Sequence, residues 1–291
     1  LRPMPVIPVA DLDDPRLADY RTVRDRQLAH EFSPHAPGTA ATGASPDAPW
    51  GKFMAEGDVV FAHLVDSPFR TLSVLCTPTR REAVGPLLDR LDPAVPIFLI
   101  DQARLDRLIG FHLHRGLMAI GARRAPIPPA DLFNLPGPLV ALERLTNHDN
   151  VGAIFRNAAA FGAAGVLLSP GCADPLYRKS IRVSVGHALR TPFATLEPWP
   201  VALRSLAAAG RPVLALHPRP VALPLRSLGP EFARAVVVLG TEGPGLSPET
   251  LDACTHSVQI PMRSGVDSLN VGVTSALALE HLGAFNGRIH S

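Results

Sequence analysis

Cysteine is scarce in this 291-residue chain, which contains only Cys76, Cys172 and Cys254. Their odd number and wide separation exclude a disulfide framework, and no metal-ligand spacing connects them. We interpret them as packing residues of a protein from a reduced compartment, and we expect no metal site. The sequence also lacks a Gly-x-Ser-x-Gly elbow and a His-Glu-x-x-His motif, so it indicates neither a serine hydrolase nor a zinc peptidase.

Long apolar runs are absent as well. No stretch approaches the roughly 18 uninterrupted apolar residues of a membrane-spanning helix. The first residues combine Arg2 and several prolines with the acidic cluster Asp11–Asp14, a pattern unlike a signal peptide. Because 46% of the residues are hydrophobic, enough apolar surface is present to bury sizeable cores. We therefore expect a globular, cytoplasmic protein without a membrane span.

Lysine is scarce too, since Lys52 and Lys179 are the two lysines among 28 basic residues and the other 26 are arginines. The formal net charge is only +2, which does not by itself indicate a nucleic-acid partner. The arginine bias fits either a GC-rich genome or phosphate binding, because a guanidinium pairs with phosphate in bidentate fashion. Clusters that keep a nucleic-acid partner open are Arg21, Arg24 and Arg26, then Arg80 and Arg81, and then Arg115, Arg123 and Arg124.

Alternating helix and strand patterns predict an α/β protein with two parts. The first part, residues 1–124, is expected to contain a flexible insertion at 33–51, where proline, alanine, glycine, serine and threonine dominate. Its predicted helices are Val59–Leu64, Arg80–Leu91 and Gln102–Leu108, and its predicted strands are Thr71–Cys76, Ile97–Ile100 and Gly116–Ala122. We interpret the proline-rich segment 125–137 as a linker.

The second part, residues 138–291, contains short, fully apolar runs that are typical of parallel strands covered on both faces. Its predicted strands are Leu139–Leu142, Gly165–Leu168, Val213–Leu216, Val236–Leu239 and Val258–Ile260. Its predicted helices begin at Asn147 or Asp149, at Asp174-Pro175, at Val201, at Ser247-Pro248 and at Asn270. The last helix, Asn270–Leu282, is apolar nearly all round, so it needs burial on two sides, either within one subunit or in a homodimer.

Three loops rich in glycine and polar residues follow predicted strands, and open α/β sheets bind ligands at that edge. The first loop contains Asn150-Val151-Gly152 and leads to Arg156. A helix over these residues would place Gly152 and Arg156 on its non-core face. Arg156 is therefore either a ligand of a phosphate or carboxylate or an ordinary solvated arginine.

The second loop, Gly240–Gly245, leaves an apolar strand, and its three glycines would let the backbone approach a ligand closely. Its spacing fits neither the dinucleotide fingerprint nor the phosphate-binding loop. Glu242 is either a ligand-binding acid or a turn cap. The third loop runs from Ile260 to Asn270, where Ser268 and Asn270 are candidates both for capping the last helix and for orienting a substrate.

In this order and spacing, the three loops resemble the motifs of the SpoU/TrmH family, which are RNA ribose 2′-O-methyltransferases of the SPOUT class. The matching residues are Asn150-Val151-Gly152 with Arg156, Leu239–Leu246, and Ile260-Pro261-Met262 with Asp267–Val271. In the first part, the segment Gly110–Gly116 resembles the N-terminal RNA-binding domain of the family. Each motif is weak alone, whereas the ordered set is specific.

The resemblance implies a parallel-sheet SPOUT domain that is threaded into a trefoil knot and preceded by a small α/β RNA-binding domain. It also implies S-adenosylmethionine as cofactor, RNA as substrate, and a homodimer whose active sites use both subunits. The cofactor-binding residues would be Leu216, Gly240, Glu242, Gly245, Ile260, Met262 and Leu269. The catalytic residues would be Arg156, Asn150, Glu242, Ser268 and Asn270.

The implied reaction is methyl transfer to a ribose hydroxyl, a poor nucleophile that must lose its proton. The family arginine matched by Arg156 is sometimes described as a base, but a charged guanidinium that stabilises the alkoxide is the better physical role. A noncatalytic RNA-binding protein on the same scaffold and a methyltransferase acting on a base nitrogen stay open as alternatives. The resemblance favours ribosomal RNA over transfer RNA, because a sizeable N-terminal RNA-binding domain is more like the ribosomal-RNA enzymes than the compact transfer-RNA enzymes. A 2′-hydroxyl acceptor predicts RNA over DNA.

Overall fold

The computed structural model describes residues 4–21, 47–110, 112–113, 116–217, 222–265 and 268–285, so most of the predicted insertion at 33–51 lies outside the described residues. The described residues form two compact units. The first unit comprises those up to Ala125 together with Leu176–Arg190, and the second comprises Pro126–Pro175 together with those from Thr191 onward. None of the helices in the described ranges is long and apolar enough to cross a membrane.

Strands and helices alternate along most of the chain. The strands are β1 Val6–Pro8, β2 Lys52–Glu56, β3 Arg70–Cys76, β4 Ile97–Leu99, β5 Leu117–Ala122, β6 Leu139–Leu142, β7 Gly165–Leu168, β8 Phe193–Thr195, β9 Val213–Leu216, β10 Leu223–Pro224, β11 Val236–Leu239 and β12 His256–Gln259. The α-helices are α1 Ala18–Arg21, α2 Asp58–Val65, α3 Pro78–Ala83, α4 Gly85–Leu88, α5 Gln102–Ile109, α6 Pro129–Phe133, α7 His148–Ala160, α8 Arg178–Val183, α9 Val201–Ala208, α10 Pro248–Ala253 and α11 Val271–Ala284. Short 3₁₀ helices occur at Pro15–Leu17, His187–Leu189, Leu225–Ser227 and Pro230–Phe232.

The first unit is built on a mixed sheet in the order β1-β4-β3-β5-β2. β1 and β3 pair with β4 in parallel, whereas β2 and β3 pair with β5 in antiparallel. The amphipathic helix α5 buries Leu105, Leu108 and Ile109 in a core that also contains Tyr20 and Phe98. Burial of this apolar face, rather than intrinsic helix propensity, is what stabilises so short a helix.

Two predicted helices are corrected by the structure. The helix predicted at Arg80–Leu91 is divided into α3 and α4, because Pro86 has no N–H to donate and its ring conflicts with a continuous helix. The helix predicted to start at Asp174-Pro175 begins three residues later, at Arg178. Pro175 and Leu176 form a turn instead, a conformation that the fixed φ of proline suits equally well.

The second unit contains a seven-stranded, all-parallel sheet in the order β10-β12-β9-β11-β6-β7-β8. Every residue of β6, β7 and β11 is buried, as expected for strands covered on both faces. The predicted α/β class with a large parallel sheet is therefore confirmed. The knotted threading stays a prediction. Because all the strands run in one direction, the loops after β9, β11 and β12 leave the sheet at the same edge.

Helices α7 and α11 pack against each other in the second unit. Asn157 on α7 donates from Nδ2 to the carbonyl of Gly272 (2.7 Å) and to Oγ of Ser275 (2.9 Å) on α11. A methyl group added at Gly272 would lie 3.1 Å from Cβ of Ala153, so the helices are close. One prediction, that Gly152 and Arg156 share a non-core face of α7, is corrected, because Gly152 is buried whereas Arg156 is exposed.

The segment 125–137, predicted as a linker, contains α6 and is held by a buried arginine. The Arg211 side chain is only 2% exposed, and its guanidinium donates to the carbonyls of Phe133, Leu135, Gly137 and Arg234. Burial, with a smaller effect of Arg234, lowers the pKa of Arg211 to about 10, so the group stays charged at neutral pH. Arg211 thus supplies the hydrogen-bond donors for carbonyls that α6 and the following turn leave open.

All three cysteines are free thiols. Burial raises the pKa of Cys76 to about 12 and has the same effect on Cys254, where nearby Glu143 adds to the rise. Burial also raises the pKa of Cys172. These thiols are protonated at neutral pH and fit the packing role predicted from the sequence.

Candidate active site

A cavity of about 530 Å³ opens at the carboxyl ends of β9, β11 and β12. It is lined by residues from three loops, which come together although they are far apart in the sequence. All seven residues predicted to bind a cofactor are among them: Leu216, Gly240, Glu242, Gly245, Ile260, Met262 and Leu269. Ser268 and Asn270, two of the predicted catalytic residues, also line this cavity.

The loop between β11 and α10 forms one wall of the cavity and folds back on itself. The N–H of Gly245 donates to the carbonyl of Thr241 at 3.1 Å. A methyl group at Gly240 would lie 2.4 Å from the carbonyl carbon of Gly245 and 2.6 Å from the amide nitrogen of Leu246. Gly245 itself has a φ of +72°, in the left-handed region that favours glycine. The loop therefore requires glycine at both positions.

Three predicted catalytic residues form a hydrogen-bonded triangle beside this loop. Asn150 donates from Nδ2 to Oε1 of Glu242 at 2.8 Å. Asn270 donates from Nδ2 to Oδ1 of Asn150 at 3.0 Å and to Oε1 of Glu242 at 3.2 Å. The triangle joins the start of α7, the glycine loop and the start of α11, so it fixes the three motifs relative to one another.

The structure also decides between Ser268 and Asn270 as the cap of the last helix. Its Oδ1 accepts from the N–H groups of Gly272 (2.9 Å) and Val273 (3.3 Å), so Asn270 and not Ser268 is the N-cap of α11. At the start of α7, Asn147 and not Asp149 is the N-cap, since its side chain accepts from the N–H of Asp149. One side chain of Asn270 thus serves both the helix and the polar triangle.

Asn150 and Arg156 are placed differently from the other predicted site residues. Asn150 is buried and reaches the site through Glu242 and Asn270, without being part of the cavity lining. Arg156 is exposed on α7 and does not line the cavity. Within the described part of the chain, its side chain makes no hydrogen bond or ion pair. Its guanidinium is therefore available to an external partner.

Several residues of the site were not predicted from the sequence. His217, Gln259 and Thr274 line the cavity outside the motifs, as direct neighbours of predicted positions or on the first turn of α11. Gln259 donates from Nε2 to the carbonyl of Ala222 at 3.0 Å. Glu143, which follows β6 directly, was missed as well, although its carboxylate is buried next to the glycine loop. A lone acid after a strand matches no motif, but its place at the carboxyl edge was a usable signal.

Fold and site together define an α/β protein with a ligand cavity at the carboxyl edge of a parallel sheet. Residues 137–280 match the SpoU rRNA Methylase family. Over 278 residues the chain is 38% identical to an uncharacterized tRNA/rRNA methyltransferase of Mycobacterium bovis, with 93% of this chain and 89% of that protein covered. The chain belongs to the SpoU rRNA methylase family, which confirms the resemblance found in the motifs.

Solved structures agree with this assignment at the level of the fold. An AdoMet-bound rRNA methyltransferase from Sinorhizobium meliloti superimposes with a TM-score of 0.74 at 21% identity, covering 98% of this chain and 99% of that one. The SpoU methyltransferase AviRb from Streptomyces viridochromogenes, in complex with AdoMet, gives a TM-score of 0.72 at 19% identity, covering 94% and 99%. The chain therefore shares its fold with two proteins whose structures contain bound AdoMet, which is S-adenosylmethionine.

Proposed function

We propose that this protein transfers a methyl group from S-adenosylmethionine to a ribose 2′-hydroxyl of RNA, with ribosomal RNA favoured over transfer RNA. The observation that carries the proposal is the cavity at the carboxyl edge of the parallel sheet, because it gathers all seven predicted cofactor residues beside the polar triangle. The names of the M. bovis relative and the S. meliloti structure support RNA as the substrate.

The cavity fits the proposed cofactor in size and chemistry. Its volume of about 530 Å³ lies within the roughly 300–1,000 Å³ of small-molecule sites. Leu239, Ile260 and Leu269 provide apolar walls for an adenine ring, and the close backbone at Gly240 and Gly245 presents main-chain polar groups. Bound there, S-adenosylmethionine would supply a methyl group that is activated by the sulfonium charge.

The side chains around the cavity would position the acceptor and stabilise the charge that develops on it. Arg156 is proposed to bind the phosphate next to the target ribose and to stabilise the developing alkoxide. A guanidinium remains protonated at neutral pH, so electrostatic stabilisation suits it better than proton abstraction. Asn270 would orient the ribose, with the buried Asn150 holding Asn270 and Glu242 in place, and Ser268 would shape the entrance.

We also propose that two copies associate and that Arg156 of one copy completes the site of the other. Val273 and Leu277 leave an exposed apolar stripe on α11, with 50% and 42% of their surfaces exposed. Arg156 is exposed on the neighbouring helix α7 and lies outside the cavity lining of its own chain. In this proposal the first unit, which contains the predicted N-terminal domain 1–124, supplies the RNA-binding surface.

The test of this function separates methyl transfer from cofactor binding. Arg156→Ala is expected to abolish the transfer of labelled methyl groups to RNA, while the calorimetric affinity for S-adenosylhomocysteine changes by less than about threefold. The matched control is Arg204→Ala, which removes an exposed arginine from α9 and should leave both quantities unchanged. An active Arg156→Ala enzyme would refute the role of Arg156.

The same preparation distinguishes the other two functions. A wild-type protein that binds RNA but gives no heat with millimolar cofactor would be a noncatalytic RNA-binding protein. Transfer to RNA but not to DNA of the same sequence is expected because DNA lacks the 2′-hydroxyl. Label on a base nitrogen would instead identify a base methyltransferase.

A further inference from the structure

Glu143 contacts both ends of the loop that forms one wall of the cavity. Its main-chain N–H donates to the carbonyl of Leu239, the residue before the loop, at 2.9 Å. Its carboxylate accepts from the N–H of Ser247 at 2.9 Å and from the Ser247 hydroxyl at 2.7 Å. Ser247 directly follows Leu246, so one residue holds the chain on either side of Gly240–Leu246.

The contacts of Glu143 are buried and nearly exhaust what a carboxylate accepts. Glu143 is 5% exposed and Thr250 is fully buried. Oε1 also accepts from the hydroxyl of Thr250 at 2.8 Å and from Nε1 of Trp199 at 3.2 Å. A carboxylate only accepts hydrogen bonds, whereas an amide in either orientation would point its NH2 group at an N–H that cannot accept, that of Ser247 or that of Trp199. The arrangement is therefore specific for the acid.

Between these anchor points, Glu242 accepts hydrogen bonds from Asn150 and Asn270, and the rest of the exposed part of the loop makes few contacts. Glu242, Gly243 and Pro244 are exposed, and Gly243 and Gly245, which have no Cβ, allow the backbone wide conformational freedom. The internal bond between Gly245 and Thr241 closes the loop but does not attach it to the sheet. Leu239 is already paired within β11 and Leu246 is buried in the core, so the Glu143 carboxylate adds the polar anchor at the Ser247 end of the loop.

We propose that Glu143 is a positioning residue for the cofactor: by holding Leu239 and Ser247 at a fixed separation, it keeps the Gly240–Leu246 wall in its binding conformation. Leu239 and Leu246 both line the cavity, so a displacement of either end changes the cavity itself. The inference rests on the proposed function, because it assigns S-adenosylmethionine to this cavity. Glu143 has no contact with the cavity and takes no part in the transfer step.

A purely structural role for Glu143 would give a different result from a positioning role. If Glu143 served only to stabilise the fold, its replacement would lower the melting temperature and reduce activity in proportion to the loss of folded protein. Positioning predicts a selective rise in the KM for S-adenosylmethionine, with the KM for RNA and the kcat at saturating cofactor nearly unchanged.

The experiment compares Glu143→Gln with two controls in steady-state methyl transfer and in calorimetry with S-adenosylhomocysteine. We expect Glu143→Gln to raise the KM for S-adenosylmethionine and the Kd of S-adenosylhomocysteine by about tenfold, with kcat within about twofold of wild type. Trp199→Phe removes one donor but keeps both Ser247 bonds, so its cofactor KM should stay within about twofold. Leu206→Ala, which removes a buried side chain from the core of the same unit, serves as the control for a loss of stability.

Each outcome decides the proposal. An unchanged cofactor KM in Glu143→Gln, or an equal rise in Leu206→Ala, overturns it while the proposed function stands. A wild-type protein that does not bind S-adenosylhomocysteine refutes the proposed function and this inference with it. If Glu143→Gln does not fold, Ser247→Ala carries the test, because it removes the hydroxyl and keeps the N–H contact. An increase of about threefold is then expected, and no increase overturns the inference.

Discussion

Gly240 and Gly245 approach each other so closely that the cavity wall depends on the absence of a side chain. The carbonyl carbon and oxygen of Gly245 lie 2.4 Å and 2.5 Å from the position that a Cβ of residue 240 would occupy. Both atoms belong to the backbone, so the conflict cannot be relieved by turning a flexible side chain. A larger residue must displace the loop itself.

We therefore expect Gly240→Ala to weaken the binding of S-adenosylhomocysteine by more than about tenfold in calorimetry, because the loop shifts out of its binding conformation. The matched control is Gly85→Ala in the first unit, where an added methyl group meets nothing within 4 Å. The control should bind the cofactor product like wild type. Wild-type affinity in Gly240→Ala would show that this wall does not contact the cofactor.

At the level of single residues, the sequence predicted that Asn150, Glu242 and Asn270 belong to one site, but not how they are held, and it did not predict that Arg156 lies outside the cavity lining. Asn150, Glu242 and Asn270 were chosen from three separate motifs, and the structure joins them by hydrogen bonds. Glu143 was not predicted, because its partners at Ser247, about a hundred positions later, leave no local pattern. Long-range contacts of this kind become visible only when the sheet is assembled.

Among the strands of the second unit, a run of apolar residues predicted the correct bounds wherever the whole run is buried or nearly so. The strands β6, β7, β9 and β11 have the predicted bounds, because four consecutive apolar residues in each are buried on both faces or nearly so. β12 begins two residues earlier than predicted. His256 and Ser257 are polar and half-buried, so they do not extend the apolar pattern, but their backbones pair with Leu214 and Ala215 of β9. β1 and β2 were missed because prolines surround the first and a loop-like stretch precedes the second.

The end of α5 is held by one carboxylate, which makes the stability of the first unit dependent on pH. Asp106 accepts from Nδ1 of His112 at 2.6 Å, from Nε2 of Gln102 at 2.6 Å and from the N–H of Leu113 at 3.0 Å. The hydrogen bond from His112 and, after it, that from the Leu113 N–H lower the pKa of Asp106. Because the pKa of Asp106 is lower in the folded than in the unfolded state, its ionised carboxylate stabilises the fold at pH values above the unfolded-state pKa. This stabilisation is lost as the pH falls through the lower, folded-state pKa.

Asp106→Asn is expected to lower the melting temperature at pH 7, and the difference from wild type should shrink as the pH falls below about 4. The measurement is a series of thermal unfolding curves between neutral and acidic pH. Asp89→Asn, which changes an exposed acid in the same unit, serves as the control. A difference between Asp106→Asn and wild type that is independent of pH would contradict the assignment.

On the scale of the whole molecule, the division into two units follows the sequence only in part. The segment Leu176–Arg190 lies between β7 and β8 of the second unit in the chain, but it packs with the first unit. There α8 lies against β2. Nothing in the local sequence of this segment indicates the sheet on which it packs, because that choice is decided by contacts with residues more than a hundred positions away.

The proposed association of two copies predicts a change in mass when the exposed stripe of α11 is charged. Leu277→Arg is expected to convert a dimer into a monomer in sedimentation velocity and to abolish methyl transfer, because a buried arginine without a partner is costly. Val201→Arg changes an apolar residue of α9 that is 56% exposed, and it should remain a dimer. A wild-type monomer that is fully active would contradict the association.

The most direct test of the central claim is to identify the nucleoside that carries the transferred methyl group. Wild-type protein and methyl-labelled S-adenosylmethionine are incubated with purified ribosomal RNA in one reaction and with purified transfer RNA in another. Each RNA is then digested to nucleosides for mass spectrometry. We expect label on the ribose of one nucleoside from ribosomal RNA. Label on a base, or no label in either RNA, would contradict it.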